Sequence, residues 1–95
     1  KSKHKNLAMN KRKLKKGVNY ICTELFAECI ALVQYENISN EAVSNVMESI
    51  LMMQADIISR ISHIEPGNTK QFFKKLHEDL ANKTNEIVDD IQALV

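Results

Sequence analysis

A chain of 95 residues has room for one hydrophobic core and therefore for a single domain. Its aromatic content is 5%, with two Gly and one Pro, and such values argue against a β-sheet protein. Residues 1–16 hold eight Lys or Arg and no acid, whereas residues 17–95 hold five basic and twelve acidic residues. The net charge of +1 therefore hides a basic segment joined to an acidic body, which favours an acidic partner.

The basic segment comes before the amphipathic pattern begins. In a helix continued upstream of Leu14, Lys11 and Lys15 would point to the apolar face, so residues 1–13 are predicted to form a flexible basic arm. Such an arm suits phosphate groups, which bind basic side chains in a salt-sensitive and sequence-independent way. The candidate phosphate-contacting residues are Lys3, Lys5, Lys11, Arg12, Lys13, Lys15 and Lys16.

Two other interpretations of this arm remain open. Anionic lipid attracts lysines as well, and a solvated tail that only keeps the protein soluble would have the same composition. No aromatic residue is interleaved with the lysines for stacking on bases, and an acidic body is expected to repel nucleic acid everywhere except at the arm. Nucleic-acid binding is therefore an alternative rather than the main prediction.

The first helix is predicted over residues 14–35. Its apolar residues recur at three- and four-residue steps and form one broad face, and Asn37 is a suitable left-handed stop. These apolar residues are Leu14, Val18, Ile21, Cys22, Leu25, Phe26, Cys29, Leu32 and Val33. Cys22 and Cys29 lie in the middle of the face, about 10 Å apart along the helix, too far for a bridge.

The second helix is predicted over residues 40–64, with Ser39 or Asn40 as its N-cap. Pro66-Gly67 ends it, because Pro fixes φ and Gly accepts a positive φ. The predicted apolar stripe consists of Val43, Val46, Met47, Ile50, Leu51, Met53, Ile57, Ile58, Ile61 and Ile64.

Two residues of this helix are candidate contacts for a partner or a second copy. Met52 points away from the stripe, where an exposed thioether suits an adaptable apolar contact, although a single exposed Met needs no explanation. Gln54 falls inside the stripe, where a buried amide can fix register or oligomeric state once it is paired. The alternative is a stripe-edge position from which the amide reaches water.

The third helix is predicted over residues 69–94, with Asn68 as N-cap and Gln71 completing a capping box. Three helices of similar length with short connections predict an all-α, antiparallel, up-down-up three-helix bundle over residues 14–95. The wide apolar stripes are compatible with a monomer and equally with a homodimer.

The sequence contains no recognisable catalytic or metal-binding pattern. Burial is expected to raise the pKa of both thiols, and neither a Cys-x-x-Cys nor a His-x-x-x-His spacing occurs. We predict no enzyme activity, no cofactor, no metal and no small-molecule substrate. Glu24 and Glu28 interrupt the longest apolar segment, so membrane insertion is not expected and a cytoplasmic location is predicted. The main prediction is a small helical interaction or adaptor module that binds protein partners, or itself, through its helix faces.

Overall fold

The computed structural model describes the backbone of residues 2–64 and 67–95, and the side chains of residues 10–64 and 67–95. Within these ranges the chain forms three α-helices: α1, Ser2–Tyr35; α2, Asn40–Ser62; and α3, Thr69–Ala93. Helix α2 packs most closely on α1 and then on α3, whereas α1 and α3 contact each other least. The predicted all-α three-helix bundle is confirmed.

The up-down-up order is visible in the contacts between helices. Asn19 of α1 is hydrogen-bonded to Gln54 of α2, far from it in sequence, which sets the antiparallel register of these two helices. Leu14 and Phe73 line one cleft between the starts of α1 and α3, and Tyr35 and Ile91 line another between their ends. Helices α1 and α3 are therefore parallel to each other.

The core is built only from hydrophobic side chains. Cys22, Cys29, Ile50 and Ile61 are fully buried, and no polar or charged side chain is buried in the described part of the chain. Burial of an aliphatic side chain stabilises a fold by about 1.5–3 kcal/mol, so this stripe holds the bundle together. The buried residues are Val18, Cys22, Leu25, Cys29, Leu32, Val43, Val46, Ile50, Met53, Ile57, Ile61, Leu76, Leu80, Ile87 and Ile91.

The predicted stripe residue Leu51 does not belong to the core. Leu51 is 54% exposed, although the pattern placed it among the buried residues. It follows Ile50 by one position, so its side chain is turned by about 100° from the centre of the stripe. The prediction that Leu51 is buried is wrong, and the exposed side chain faces the groove between α1 and α2.

Helix α1 begins at Ser2, well before the predicted Leu14, and runs continuously to Tyr35. The Asn19–Gln54 hydrogen bond gives the register of the two antiparallel helices. Eight residues from this pair, Lys11 of α1 is level with Ser62, the last residue of α2. The part of α1 before Lys11 therefore extends beyond the end of α2. The molecule is accordingly elongated, measuring 54 × 18 × 15 Å. Its radius of gyration of 15.7 Å exceeds the value of about 12 Å for a compact domain of this length.

Local sequence explains where α1 ends and α2 begins. Asn37 has a φ of 56°, as predicted for a left-handed stop. Asn adopts this left-handed conformation more readily than most residues that carry a side chain. Ser39 is extended, and its hydroxyl oxygen accepts a hydrogen bond of 3.1 Å from the Ala42 N–H. The predicted N-cap at Ser39 is confirmed.

The connection into α3 differs from the prediction. Asn68 is the N-cap, but its side chain makes no capping hydrogen bond, so the predicted capping box with Gln71 is wrong. The reason is its backbone, with φ −112° and ψ 42°, which is not the extended conformation that aims a cap side chain at the helix. Gly67 has a φ of 125°, in agreement with its predicted role, while Pro66 lies outside the described residues.

Candidate interaction surfaces

The two thiols are part of the core and not of a reactive site. Both cysteines are free and fully buried. Burial raises the pKa of the Cys22 thiol, and burial followed by the negative charge of Glu28 raises the pKa of Cys29. Because the thiolate is the nucleophile, a raised pKa makes these groups less reactive at neutral pH. Among the described residues, no three His, Cys, Asp or Glu come together as a metal site would require.

An apolar surface lies along the groove between α1 and α2. Two rows at three- and four-residue spacing border it, and we call this surface the α1/α2 face. In the described part of the chain, α3 packs on the opposite side, as its contacts with α2 through Met53 and Arg60 indicate. The face comprises Arg12, Lys16, Asn19, Thr23, Phe26 and Ile30 of α1, and Glu41, Ser44, Glu48, Leu51, Ala55 and Ile58 of α2.

The α1/α2 face carries accessible apolar side chains at two levels. Ile30 is 48% exposed and Leu51 is 54% exposed, while Phe26 and Ile58 are half-buried against the core. Two shallow clefts run along the groove: Ile30 borders one of about 360 Å³, and Leu51 borders one of about 640 Å³. Branched and aromatic side chains held in a groove are the type of surface that accepts an apolar helix.

Gln54, a candidate contact residue from the sequence, lies at one edge of this groove. It is half-buried, and its Nε2 donates a hydrogen bond of 2.9 Å to Oδ1 of Asn19. The amide is thus paired across the two helices, which offsets the cost of removing it from water. The bond helps to set the α1/α2 register, and the role of Gln54 in oligomerisation stays a prediction.

Met52, the other candidate, lies on a different side of α2. It is 65% exposed and borders a cleft that also contains Arg60, Asp79 and Lys83, between α2 and α3. The structure therefore does not bring Met52 and Gln54 together on one surface. A single contact through both residues would need a partner that spans two grooves of the bundle.

The basic residues meet at one end of the bundle. Arg12, Lys13 and Lys16 are exposed, whereas Lys11 and Lys15 are half-buried, in agreement with the predicted orientation of the last two toward the apolar side. The side chains of Lys3 and Lys5 lie outside the described residues. Because α3 is parallel to α1, its first turns bring further lysines to this end, which we call the basic end.

A cleft of about 320 Å³ at the basic end separates α1 from α3. Lys13 and Leu14 border it from α1, and Phe73 and His77 border it from α3. Lys70 and Lys74 are exposed and precede Phe73 and His77 by three residues each, so they lie on the same side of α3. Lys13 borders the cleft directly, and Lys70 and Lys74 lie one helical turn from its α3 side.

Two other cations near this end are already paired. Arg60 lies 2.9 Å from Asp79, and Lys75 lies 3.1 Å from the other oxygen of the same carboxylate. The hydrogen bonds from Lys75 and then Arg60 lower the pKa of Asp79. Asp79 therefore stays ionised and neutralises part of the basic end, leaving Lys13, Lys70 and Lys74 for other contacts.

The opposite end of the molecule is acidic. Residues 24–48 contain five acidic residues and residues 86–95 contain three, with no Lys or Arg in either segment. These segments are the end of α1, the start of α2 and the end of α3, which the topology places together. The body, which is acidic in net charge as the sequence indicates, therefore has a basic end and an acidic end.

Sequence reasoning missed three members of these surfaces: Ile30, Lys70 and Lys74. Ile30 follows Thr23 by seven residues, and extending that spacing would have drawn a second stripe beside the core stripe. The α3 lysines gave no local signal, because their position beside the first segment depends on the direction of α3. Leu51 was noticed but assigned to the core.

Comparison of the chain with protein-family models, curated proteins and solved structures gives no significant match to any of them. Among the described helices, none combines the length and the apolar character needed to cross a lipid bilayer. The surfaces described above are therefore the basis on which a function is proposed.

Proposed function

We propose that this protein is a non-catalytic helical interaction module that binds a protein partner through the α1/α2 face. The observation that carries the proposal is the exposure of Ile30 and Leu51 at two levels along a groove that α3 leaves open in the described structure. Single exposed apolar residues are common on protein surfaces, but two that share one groove with half-buried Phe26 and Ile58 are typical of contact sites.

The surroundings of the groove support this proposal. The exposed apolar side chains of the groove are bordered by charged and amide side chains. In such an arrangement the apolar contacts supply affinity and the polar rim supplies specificity. The buried, unactivated thiols are consistent with a binding rather than a catalytic role. A cytoplasmic location also remains a prediction, supported by two free cysteines, which are typical of reducing compartments.

Site-specific photo-crosslinking tests the proposed face. A benzophenone amino acid is placed at Leu51 in the full chain, and at exposed Ala81 on α3 as a matched control. In an extract of the source cells, we expect a defined crosslinked species from position 51 that is absent from position 81. Equal crosslinking from both positions, or none from position 51, would contradict the proposal.

A second function, contact with nucleic-acid phosphates at the basic end, is proposed on a separate observation. Lys70 and Lys74 of α3 lie on the side of the helix that borders the cleft beside Lys13, so the basic surface is wider than the first segment alone. A basic surface to which two helices contribute can follow a phosphate backbone better than one row of charges. This arrangement also separates the phosphate surface from the α1/α2 face.

Fluorescence anisotropy with labelled duplex DNA at several salt concentrations tests this second function. Replacing Lys13, Lys70 and Lys74 with Gln should weaken binding and reduce the log–log salt slope by up to about 3, since each phosphate contact contributes about 0.9. Lys83→Gln, in the middle of α3, is the control and should bind as the wild type does. Weak binding that all variants share would identify the lysines as solubilising only.

A further inference from the structure

The charges along the α1/α2 face are ordered from one end to the other. The α1 row begins with two cations, Arg12 and Lys16, whereas two anions, Glu41 and Glu48, lie in the first half of the α2 row, and all four side chains are exposed. Because the two helices are antiparallel, the first halves of the rows lie toward opposite ends of the same face. The cations therefore lie in one half of the face and the anions in the other half.

The outer charges, Arg12 and Glu41, are about equally far from the level of Thr23 and Leu51, whereas the inner charges, Lys16 and Glu48, are seven and three residues from it. The Asn19–Gln54 register places Thr23 beside Leu51 at the middle of the face. Arg12 is eleven residues from Thr23 and Glu41 is ten residues from Leu51, or about 16 and 15 Å at the rise of an α-helix. A surface with this symmetry is complementary to itself after a half-turn.

We infer that the occupant of the α1/α2 face is a second copy of this chain, packed antiparallel across a twofold axis that passes near Thr23 and Leu51. The inference depends on the proposed function, since it names the partner of that face. In this arrangement the apolar side chains bury each other, and Arg12 and Lys16 of each copy approach Glu41 and Glu48 of the other. The isologous geometry closes on itself and forms a dimer rather than a filament.

The parallel arrangement of the same two faces is disfavoured by charge. It would place the basic end against the basic end and the acidic end against the acidic end, which is repulsive at both. The antiparallel arrangement turns all of these contacts into attractive ones. Charge order thus selects one of the two orientations that the apolar side chains alone would allow.

The size of the face is sufficient for a specific but modest dimer. Its length from Arg12 to Ile30 is about 27 Å, and the bundle is 18 Å wide. Two such faces would bury on the order of 1,000 Å², the smallest area expected of a specific interface. We therefore expect a reversible dimer whose affinity decreases with salt as the charged ends are screened.

Charge reversal tests the pairing with variants that leave the core untouched. Glu41→Lys with Glu48→Lys makes both ends of the face basic, and Arg12→Glu with Lys16→Glu makes both ends acidic. Each double variant should self-associate at least about tenfold more weakly than the wild type in sedimentation equilibrium. A one-to-one mixture of the two variants should form a heterodimer at least as tight as the wild-type dimer. Asp89→Lys with Asp90→Lys, outside the face, is the control and should dimerise normally.

A distance measurement decides the orientation. With a spin label at Asn10→Cys, near one end of the bundle, the antiparallel dimer predicts a label separation of about 40 Å or more. A parallel dimer of bundles 18 × 15 Å in cross-section would place the labels within about 30 Å of each other, given the interhelical spacing. The native thiols are fully buried, so labelling is directed to the introduced cysteine.

A wild-type chain that stays monomeric at low salt, charge variants that dimerise as the wild type does, or labels at the shorter distance would each overturn the inference. A monomer that still gives a position-specific crosslink from residue 51 to another protein would retain the α1/α2 face as a binding surface. The self-pairing and the proposed function can therefore fail separately.

Discussion

The two halves of α1 share one continuous helix but are stabilised in different ways. The packed half, residues 18–35, buries Val18, Cys22, Leu25, Cys29 and Leu32 against the other helices. The basic half, residues 2–17, carries seven Lys or Arg, and Leu14 is its one described side chain that packs against the core. Isolated helices of such length are marginal in water, and the packed half gains far more stability from tertiary contacts than the basic half does.

This difference separates stability from binding within a single element. Changes in the packed half act on the free energy of unfolding, whereas changes in the basic half act on the charge that the molecule presents at one end. The following predictions test that separation, beginning with the largest expected effect.

Proline in each half gives the strongest contrast. Ala27→Pro, at an exposed site in the packed half, should lower the free energy of unfolding by about 3 kcal/mol or more, because Pro removes a helical hydrogen bond and clashes with the preceding turn. Ala8→Pro, in the basic half, should reduce the helical circular dichroism signal but leave the urea midpoint nearly unchanged. Equal destabilisation by both would show that the basic half is part of the cooperative unit.

Truncation of one leucine in each half gives the next contrast. Leu25→Ala, at a buried position of the packed half, should cost about 2–5 kcal/mol in urea unfolding, from lost burial and a cavity. Leu14→Ala should cost clearly less, since Leu14 is half-buried at the edge of the core. A larger loss at Leu14 would move the boundary of the cooperative core toward the N-terminus.

Replacing a lysine at the boundary between the halves should reduce the difference in packing between the two halves of α1. Lys15 is half-buried on the apolar side, and Lys15→Leu should raise the free energy of unfolding by about 1 kcal/mol as it extends the stripe by one turn. The neighbouring Lys16 is exposed, so Lys16→Leu is the matched control and should give no gain. Thermal unfolding of dilute samples distinguishes the two variants, and a similar gain from both would indicate a general effect of lost charge repulsion.

The smallest expected effect concerns Asp79, which pairs with Lys75 and Arg60 near the boundary between the two halves of α1. Because these cations lower its pKa in the folded state, the carboxylate contributes stability above the unfolded value of about 3.9 and loses it as pH falls through the folded value. Asp79→Asn should therefore be less stable than the wild type near pH 7, with the difference disappearing below about pH 4. An unchanged difference at low pH would assign the loss to packing instead.

Much of the fold could be predicted from local sequence because its causes are local. The three- and four-residue spacing of apolar residues defines each helix, and the left-handed Asn37 and the Ser39 cap act within a few residues of themselves. Asn68 is the N-cap as predicted, but the capping box with Gln71 was predicted wrongly, because the Asn68 backbone does not direct its side chain at the helix. The start of α1 was also wrong, since hydrophobic periodicity does not report a helix that continues without packing.

The sequence by itself determined the three amphipathic helices, the buried stripe with both cysteines, and the excess of positive charge in the first segment. Only the tertiary structure decided that Leu51 is exposed beside Ile30, that Gln54 pairs with Asn19, and that Lys70 and Lys74 join the basic end. The physical reason is that periodicity specifies which face of a helix is apolar, whereas the direction and register of neighbouring helices specify which apolar edges stay open and which charges become neighbours.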